Sequence, residues 1–238
     1  MNHASTRGFT LVELMLAMTF ISVLLVAIAM TTIQISTIYN RGITLREVNQ
    51  SGRAVSIDLQ RSIASSTPFD VTPQVDESPD TADSKYVVRD GGGRLCLGSY
   101  TYAWNYGSAL VGGQGAPGVY NRFDDNQPVR FAKVADPNGS LCENPTASIV
   151  RNDAVDLISG GDRELAIHKF EIIKTAEDAS IGQALYAISM TIGTNDRAQL
   201  TTNDASCRPP GEDIGHEEYC AVNQFEIVAR AGNRSGDE

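Results

Sequence analysis

The sequence predicts an α+β protein in which a long N-terminal helix packs on a mostly antiparallel β-sheet head, and three observations carry that prediction. An apolar run near the N-terminus is long enough to cross a bilayer. A charged, Pro-free stretch then continues it with helical spacing, and beyond residue 93 the pattern changes to short β-rich runs separated by turn signals. The 238 residues, 42% apolar and 20% charged, suit one medium domain with an accessory segment. A mean hydropathy of -0.17 is too polar for a multi-span membrane protein. With 29 Asp+Glu against 19 Lys+Arg, a net charge of -10, no nucleic acid is expected as the main partner, because neutralising phosphates takes a surplus of cations.

The first element is the apolar run. Leu14 to Met30 holds 17 residues without a charge, and between Phe9 and Asn40 the only charged side chain is Glu13. The 22 residues of 9–30 make about 33 Å of helix, close to the roughly 30 Å of bilayer hydrocarbon. One membrane span is predicted, with Arg7 on the cytoplasmic flank and the head outside. Two other readings fit parts of the pattern. Ala27-Ile28-Ala29 offers an A-x-A site for a cleaved signal peptide, and a plain signal anchor needs only the apolar length. Glu13 fits neither, since a carboxylate costs up to about 2.5–3.5 kcal/mol at mid-membrane, less near an end, and its presence implies a use.

The helix is predicted to continue over 31–66. No Pro occurs there, and Leu45, Val48, Gly52, Val55, Leu59 and Ile63 recur at spacings of three and four with charges between them. A continuous helix over 9–66 would be roughly 87 Å long, ending at Ser65-Ser66-Thr67-Pro68 because the residue before Pro avoids helical angles. A coiled-coil dimer is the alternative use of that stripe, and Gly42 and Gly52 interrupt its seam. Residues 67–93 read as loop and linker, with several Pro, many Asp and a Gly triplet. The β-rich head, 94–238, is expected to place strands at 94–106, 129–134, 147–150, 164–174, 185–194 and 220–231. Tyr100, Tyr102, Trp104 and Tyr106 alternate and share one sheet face, for which packing is favoured over a binding surface.

The four cysteines, Cys96, Cys142, Cys207 and Cys220, lie beyond the span, so an even count in an extracytoplasmic head predicts two disulfides. Three connectivities exist. Pairing of sequence neighbours, Cys96 with Cys142 and Cys207 with Cys220, is the expected one, since the polar RPPGEDIGHEEY segment is not held by a core. A zinc site is disfavoured with only His168 and His216 outside the N-terminal eight residues and no C-x-x-C. Acidic clusters at Asp124-Asp125, Asp196, Asp204 and Glu212-Asp213 lack the spacing of a calcium loop. No cofactor is expected, and the absence of nucleophile-elbow, zincin, P-loop and dinucleotide signatures predicts a chain that is not an enzyme.

Arg7-Gly8-Phe9-Thr10-Leu11-Val12-Glu13-Leu14 resembles the signature of type IV prepilins and type II secretion pseudopilins, close to ideal over about ten residues. The resemblance implies a pilin-like fold, a leader of residues 1–8 cut after Gly8 by a membrane-embedded prepilin peptidase, and N-methylation of the new amine on Phe9. It also implies that Glu13 attracts the amine of a neighbouring subunit during filament assembly. Physical reasoning agrees, since an unpaired ammonium or carboxylate in an apolar setting is expensive and a paired one is tolerated. The second cysteine pair resembles the disulfide-bounded loop near the C-terminus of many pilins. One departure is that Met30 stands where many major pilins carry a Pro.

Length, the 50–63 run QSGRAVSIDLQRSI and the 225–234 run FEIVARAGNR look like PilW-type minor pilins, subunits that prime assembly near the filament tip. That resemblance implies as partners other pilin subunits, the prepilin peptidase, an inner-membrane assembly platform and membrane lipid. It places the chain in the cytoplasmic membrane before assembly and in a cell-surface pilus, or a periplasmic or extracellular filament, afterwards. A J-type minor pseudopilin of a type II secretion system is the alternative, and a membrane-anchored adhesin or DNA-binding module that never polymerises is another.

Overall fold

The computed structural model describes residues 8, 10–74, 84–112, 116–144, 146–158, 161, 163–201, 206–209 and 219–232. Its first element, α1 (Leu11–Ala64), is one helix of 54 residues. Thr10 caps its start in an extended conformation. Its end falls at Ala64, short of Ser66, because the Ser65 and Ser66 hydroxyls bond back to the Ser62 and Ile63 carbonyls at 2.9 and 2.8 Å and draw the chain out of the helix.

The two halves of α1 differ in what covers them. Residues 11–39 are exposed throughout, whereas the upper half buries Thr44, Val48, Gly52, Val55, Leu59, Ser62 and Ile63. The stripe therefore starts at Thr44, whose hydroxyl bonds the Asn40 carbonyl at 3.0 Å, and Leu45 is left 41% exposed. Stepping back four residues from Val48 faces the core here, while stepping back three leaves it. Because the chain's own strands cover this stripe, it is not the seam of a coiled coil.

The head contains two antiparallel sheets where one was expected. The first has five strands in sequential order: β1 (Tyr86–Arg89), β2 (Gly92–Cys96), β3 (Tyr100–Asn105), β4 (Phe131–Ala135) and β5 (Ala154–Asp156). Short helices α2 (Gly107–Val111) and α3 (Ser140–Glu143) lie in its connections. The second has three: β6 (Leu165–Asp178), β7 (Gln183–Thr194) and β8 (Val222–Ala231). A parallel bridge between Tyr106 and Ile167 joins them.

Several predicted boundaries move. Part of the 67–93 loop is ordered structure, with β1 inside it and Gln74 bridged to Val87. The 94–106 run is two strands, folded back at Gly98, whose φ of 86° is open to glycine at little cost. Segment 147–150 forms no strand; Ile149 makes a single bridge to Phe123. Segment 164–174 is a strand, as its Ile and Phe content suggested, and it runs on to Asp178.

The alternating aromatic face of β3 lies in the core. Tyr102 and Trp104 are fully buried, and Trp104 meets Phe170 of the second sheet at 4.4 Å between ring centroids, with Tyr86 and Phe131 around them. Only Tyr100, at the strand's start, is 43% exposed. Helix α1 lies across β8 and touches β7. The closest approach is at Gly52, where an added Cβ would run into the Phe225 ring. The glycine that breaks the heptad seam is thus the one that lets helix and strand meet.

Polar contacts tie α1 to both sheets. Asp58 pairs with Lys133 of β4 at 3.1 Å, and Ser62 accepts from the same Nζ at 2.9 Å. The Tyr102 hydroxyl donates toward Asp58 and Ser62. On the other side Asn223 of β8 bonds Asn49 at 2.7 Å and Gln60 bonds the Val228 carbonyl at 3.1 Å.

This packing makes the fold sensitive to high pH. Burial is the main cause that pushes the Tyr86 and Tyr102 phenols well above the usual tyrosine range, and the hydrogen bond to Asp58 adds to it at Tyr102. Both stay neutral in the fold, whereas in the unfolded chain they ionise near pH 10. Their contribution is complete below that value and falls as pH rises above it, by about 1.4 kcal/mol per pH unit for each. Chemical unfolding should show about 3 kcal/mol less stability at pH 11 than at pH 9 from these two groups. In the Tyr86→Phe/Tyr102→Phe variant that part of the decline should disappear.

Candidate functional site

The N-terminal end of α1 holds the one charged side chain of the exposed apolar half. Between Leu11 and Met30 the polar side chains are Glu13, Thr19 and Ser22. Thr19 and Ser22 satisfy themselves, donating to the Leu16 and Met18 carbonyls at 2.9 and 2.8 Å. Thr31, Thr32 and Thr37 do the same farther along the helix. Hydroxyls returned to their own helix tolerate an apolar surrounding. Glu13 is what remains to be neutralised.

Glu13 is held in a capping box. Its Oε2 accepts from the Thr10 amide at 3.0 Å and the Thr10 hydroxyl at 2.9 Å, while the Thr10 Oγ1 accepts from the Glu13 amide at 3.3 Å. Two of the amides that a helix start leaves open are thereby satisfied, and a carboxylate in the first turn suits the positive end of the helix dipole. The carboxylate is directed back toward the chain entering the helix, beside the amide that follows Phe9. Gly8 is exposed and belongs to no element. Phe9, the expected new N-terminus and methylation position, lies outside the described residues, as do residues 1–7.

Helix α1 is long and apolar enough to cross a membrane, and none of its most apolar stretch is buried by the protein. The large apolar side chains from Leu11 to Tyr39 have no cover of their own, among them Leu11, Leu16, Phe20, Val23, Ile28 and Ile33 at 53–73% exposure. Soluble folds do not leave such an area open. The long apolar helix and the disulfides together describe a membrane-associated, extracytoplasmic protein with a pilin-like layout.

Cys96 is bonded to Cys142, and Cys207 to Cys220. The first ties the end of β2 to α3; the second ties the chain after β7 to the approach of β8. Ser replacement of Cys96 and Cys142 should lower head stability by about 4 kcal/mol, and that of Cys207 and Cys220 by about 3 kcal/mol, since the 46- and 13-residue separations set the loop entropy released to the unfolded state. Unfolding midpoints of the two variants, measured by near-ultraviolet dichroism, check both values and their order.

The acidic clusters take local roles where they are described. Asp125 pairs with Arg151 at 2.7 Å, which with the Gln127 amide holds its carboxyl below the usual range. Asp196 accepts from the Ala198 amide at 3.0 Å and the Gln199 side chain at 2.7 Å. Asp204, Glu212, Asp213 and His216 lie outside the described residues. His168 shares a hydrogen bond of 3.1 Å with the Thr194 carbonyl.

Arg94 is the structural centre that sequence reasoning missed. Only 1% exposed, it donates to the Asn121 side chain at 2.7 Å and to the carbonyls of Leu141, Asn144 and Ala147 at 2.7, 3.1 and 2.7 Å. Burial holds its guanidinium below the usual arginine range, and the Tyr120 ring lies 5.4 Å away. Together with the Cys96–Cys142 bond it holds Leu141, Asn144 and Ala147 in place, and in the sequence it is no more than a charged residue within a predicted strand. No family model matches the chain, and no curated protein or solved structure matches it.

Proposed function

We propose that this chain is a minor type IV pilin, a non-catalytic subunit that helps initiate a pilus-like filament and sits near its tip. The observation that carries the reading is Glu13: one carboxylate, a few residues past Gly8, aimed at the start of an otherwise apolar and uncovered helix. A prepilin peptidase cuts after Gly8, leaving an ammonium on Phe9 for methylation. The subunit waits in the cytoplasmic membrane with its head outside. During assembly, Glu13 meets the amine of a neighbouring subunit and the exposed helices bundle, so that each covers the apolar side chains of the next. Both charges are then paired in an apolar setting, which fixes axial register. The partners are other pilin subunits, the peptidase, the assembly platform and membrane lipid.

Filaments sheared from cells producing the chain test this reading. The chain should appear in the filament fraction in small amounts beside the main subunit, and its deletion should reduce filament number. If it stays wholly in the membrane of cells that carry normal filaments, the reading fails. If its deletion instead stops export of folded proteins while pili are unaffected, the pseudopilin alternative takes its place.

A further inference from the structure

The end of the second sheet nearest the uncovered half of α1 holds a cleft of about 570 Å³, whose walls include Arg163, Asn195, Asp196, Arg197, Gln199 and Tyr219. Tyr219 fixes its place, because its hydroxyl accepts from the Asn40 side chain at 3.4 Å, where the exposed half of α1 ends. The 30 residues of 11–40 make about 45 Å of helix, and a bilayer with its headgroups is about 40–45 Å thick. A chain that spans the membrane therefore brings this cleft to the outer headgroup layer.

Acceptors and cations stand side by side in it. Gln199 is 7% exposed; its side-chain nitrogen is spent on Asp196, and its Oε1 has no hydrogen-bond partner among the described residues. The Asn195 Oδ1 is likewise buried without a partner there. Such acceptors are costly to leave unmet. Arg163 and Arg197 take part in no ion pair among the described residues. The Arg163 guanidinium lies 4.3 Å from the centre of the Tyr219 ring, with its buried Nε unbonded. Of the acids nearby, Glu164 pairs with Arg130 at 3.0 Å and Glu47 is taken by the Arg163 amide at 3.0 Å, whereas the Asp196 carboxylate has room for a further donor.

We infer that this cleft binds the headgroup of a phosphatidylethanolamine from the outer leaflet of the membrane that α1 crosses. The ammonium of that headgroup has three hydrogen bonds to donate, for which Gln199 Oε1, Asn195 Oδ1 and the Asp196 carboxylate are the acceptors, and its phosphate accepts from Arg163 and Arg197. Phosphatidylcholine has no N–H to donate, and phosphatidylglycerol carries hydroxyls in place of the cation, so each satisfies only part of the site. The inference rests on that part of the proposed function which holds the subunit in the membrane, and it needs no filament.

Native mass spectrometry of the full chain in detergent micelles tests it, with equal amounts of the three lipids on matched acyl chains. One phosphatidylethanolamine per chain is expected, favoured about tenfold over each of the others. Arg197→Ala, at an exposed position, should lower its retention about tenfold while the head keeps its unfolding midpoint. Gln199→Met should abolish the preference over phosphatidylcholine. Equal retention of the three lipids overturns the inference, as does a preference for phosphatidylglycerol, retention indifferent to Arg197→Ala or a preference that survives Gln199→Met. So does O-phosphoethanolamine that binds as tightly as the lipid, which would make the free compound the ligand. Cell fractionation separates the two claims: a chain absent from the membrane fraction removes the membrane reading itself, and a membrane-held chain without the headgroup preference removes the site alone.

Discussion

Glu13→Ala should lower incorporation into filaments by two to three orders of magnitude while cleavage after Gly8 continues. Removing one partner of a buried ion pair costs about 3–5 kcal/mol, because the ammonium left behind on a neighbour has nothing to neutralise it, and each 1.4 kcal/mol is about tenfold in an equilibrium. The substitution also removes the capping box with Thr10, worth about 1 kcal/mol to the first turn. That loss stays local, because residues 11–39 are exposed and uncovered by the head. The unfolding midpoint of the head should therefore match the parent, which separates an assembly defect from a folding defect. Glu13→Asp keeps the charge on a shorter side chain and should restore part of the incorporation. A tethered adhesin that does not polymerise would respond to neither change.

Arg94→Met should destabilise the head by about 3–5 kcal/mol, the scale for a buried charged donor whose partners are left unpaired. Met fills much of the same space but donates nothing, so the Asn121 side chain and the carbonyls of Leu141, Asn144 and Ala147 lose a common donor. Urea unfolding measures the loss. Lys at this position keeps a charge but lacks the planar set of donors that reaches four acceptors, so Arg94→Lys should recover less than half of it. A change below about 1 kcal/mol for Arg94→Met would show that ordinary surface behaviour describes this arginine.

What could be read in advance depended on how strongly the physics constrains one position from its neighbours alone. Helix α1 was legible because a charge-free run, an absence of Pro and recurring spacings all act locally. Glu13 stood out because a carboxylate in such a run is costly wherever the rest of the chain goes. The alternation of Tyr102 and Trp104 revealed a buried face but not what would cover it, since period two says nothing about which sheet lies opposite. A single sheet was therefore expected where two meet across Trp104 and Phe170. Leu97 blurred the turn at Gly98 by extending an apolar run through it, and β1 was hidden at the end of a Pro- and Asp-rich stretch. Thr44 took the buried place expected for Leu45 because both steps back from Val48 are helical, and only the packed strands choose between them. Arg94 was missed for a related reason. An arginine among strand residues reads as solvent-facing until the carbonyls that surround it, from residues 121–147, are brought together by the fold.

Edman sequencing or mass spectrometry of the processed N-terminus, on protein isolated from its native membrane, tests the central claim most directly. A chain beginning at Phe9, its amine carrying one methyl group, is the predicted result, since it places an ammonium within one helical turn of Glu13. A chain beginning at Met30, after cleavage at Ala29, would have lost both charges and the apolar helix, and would contradict the account outright.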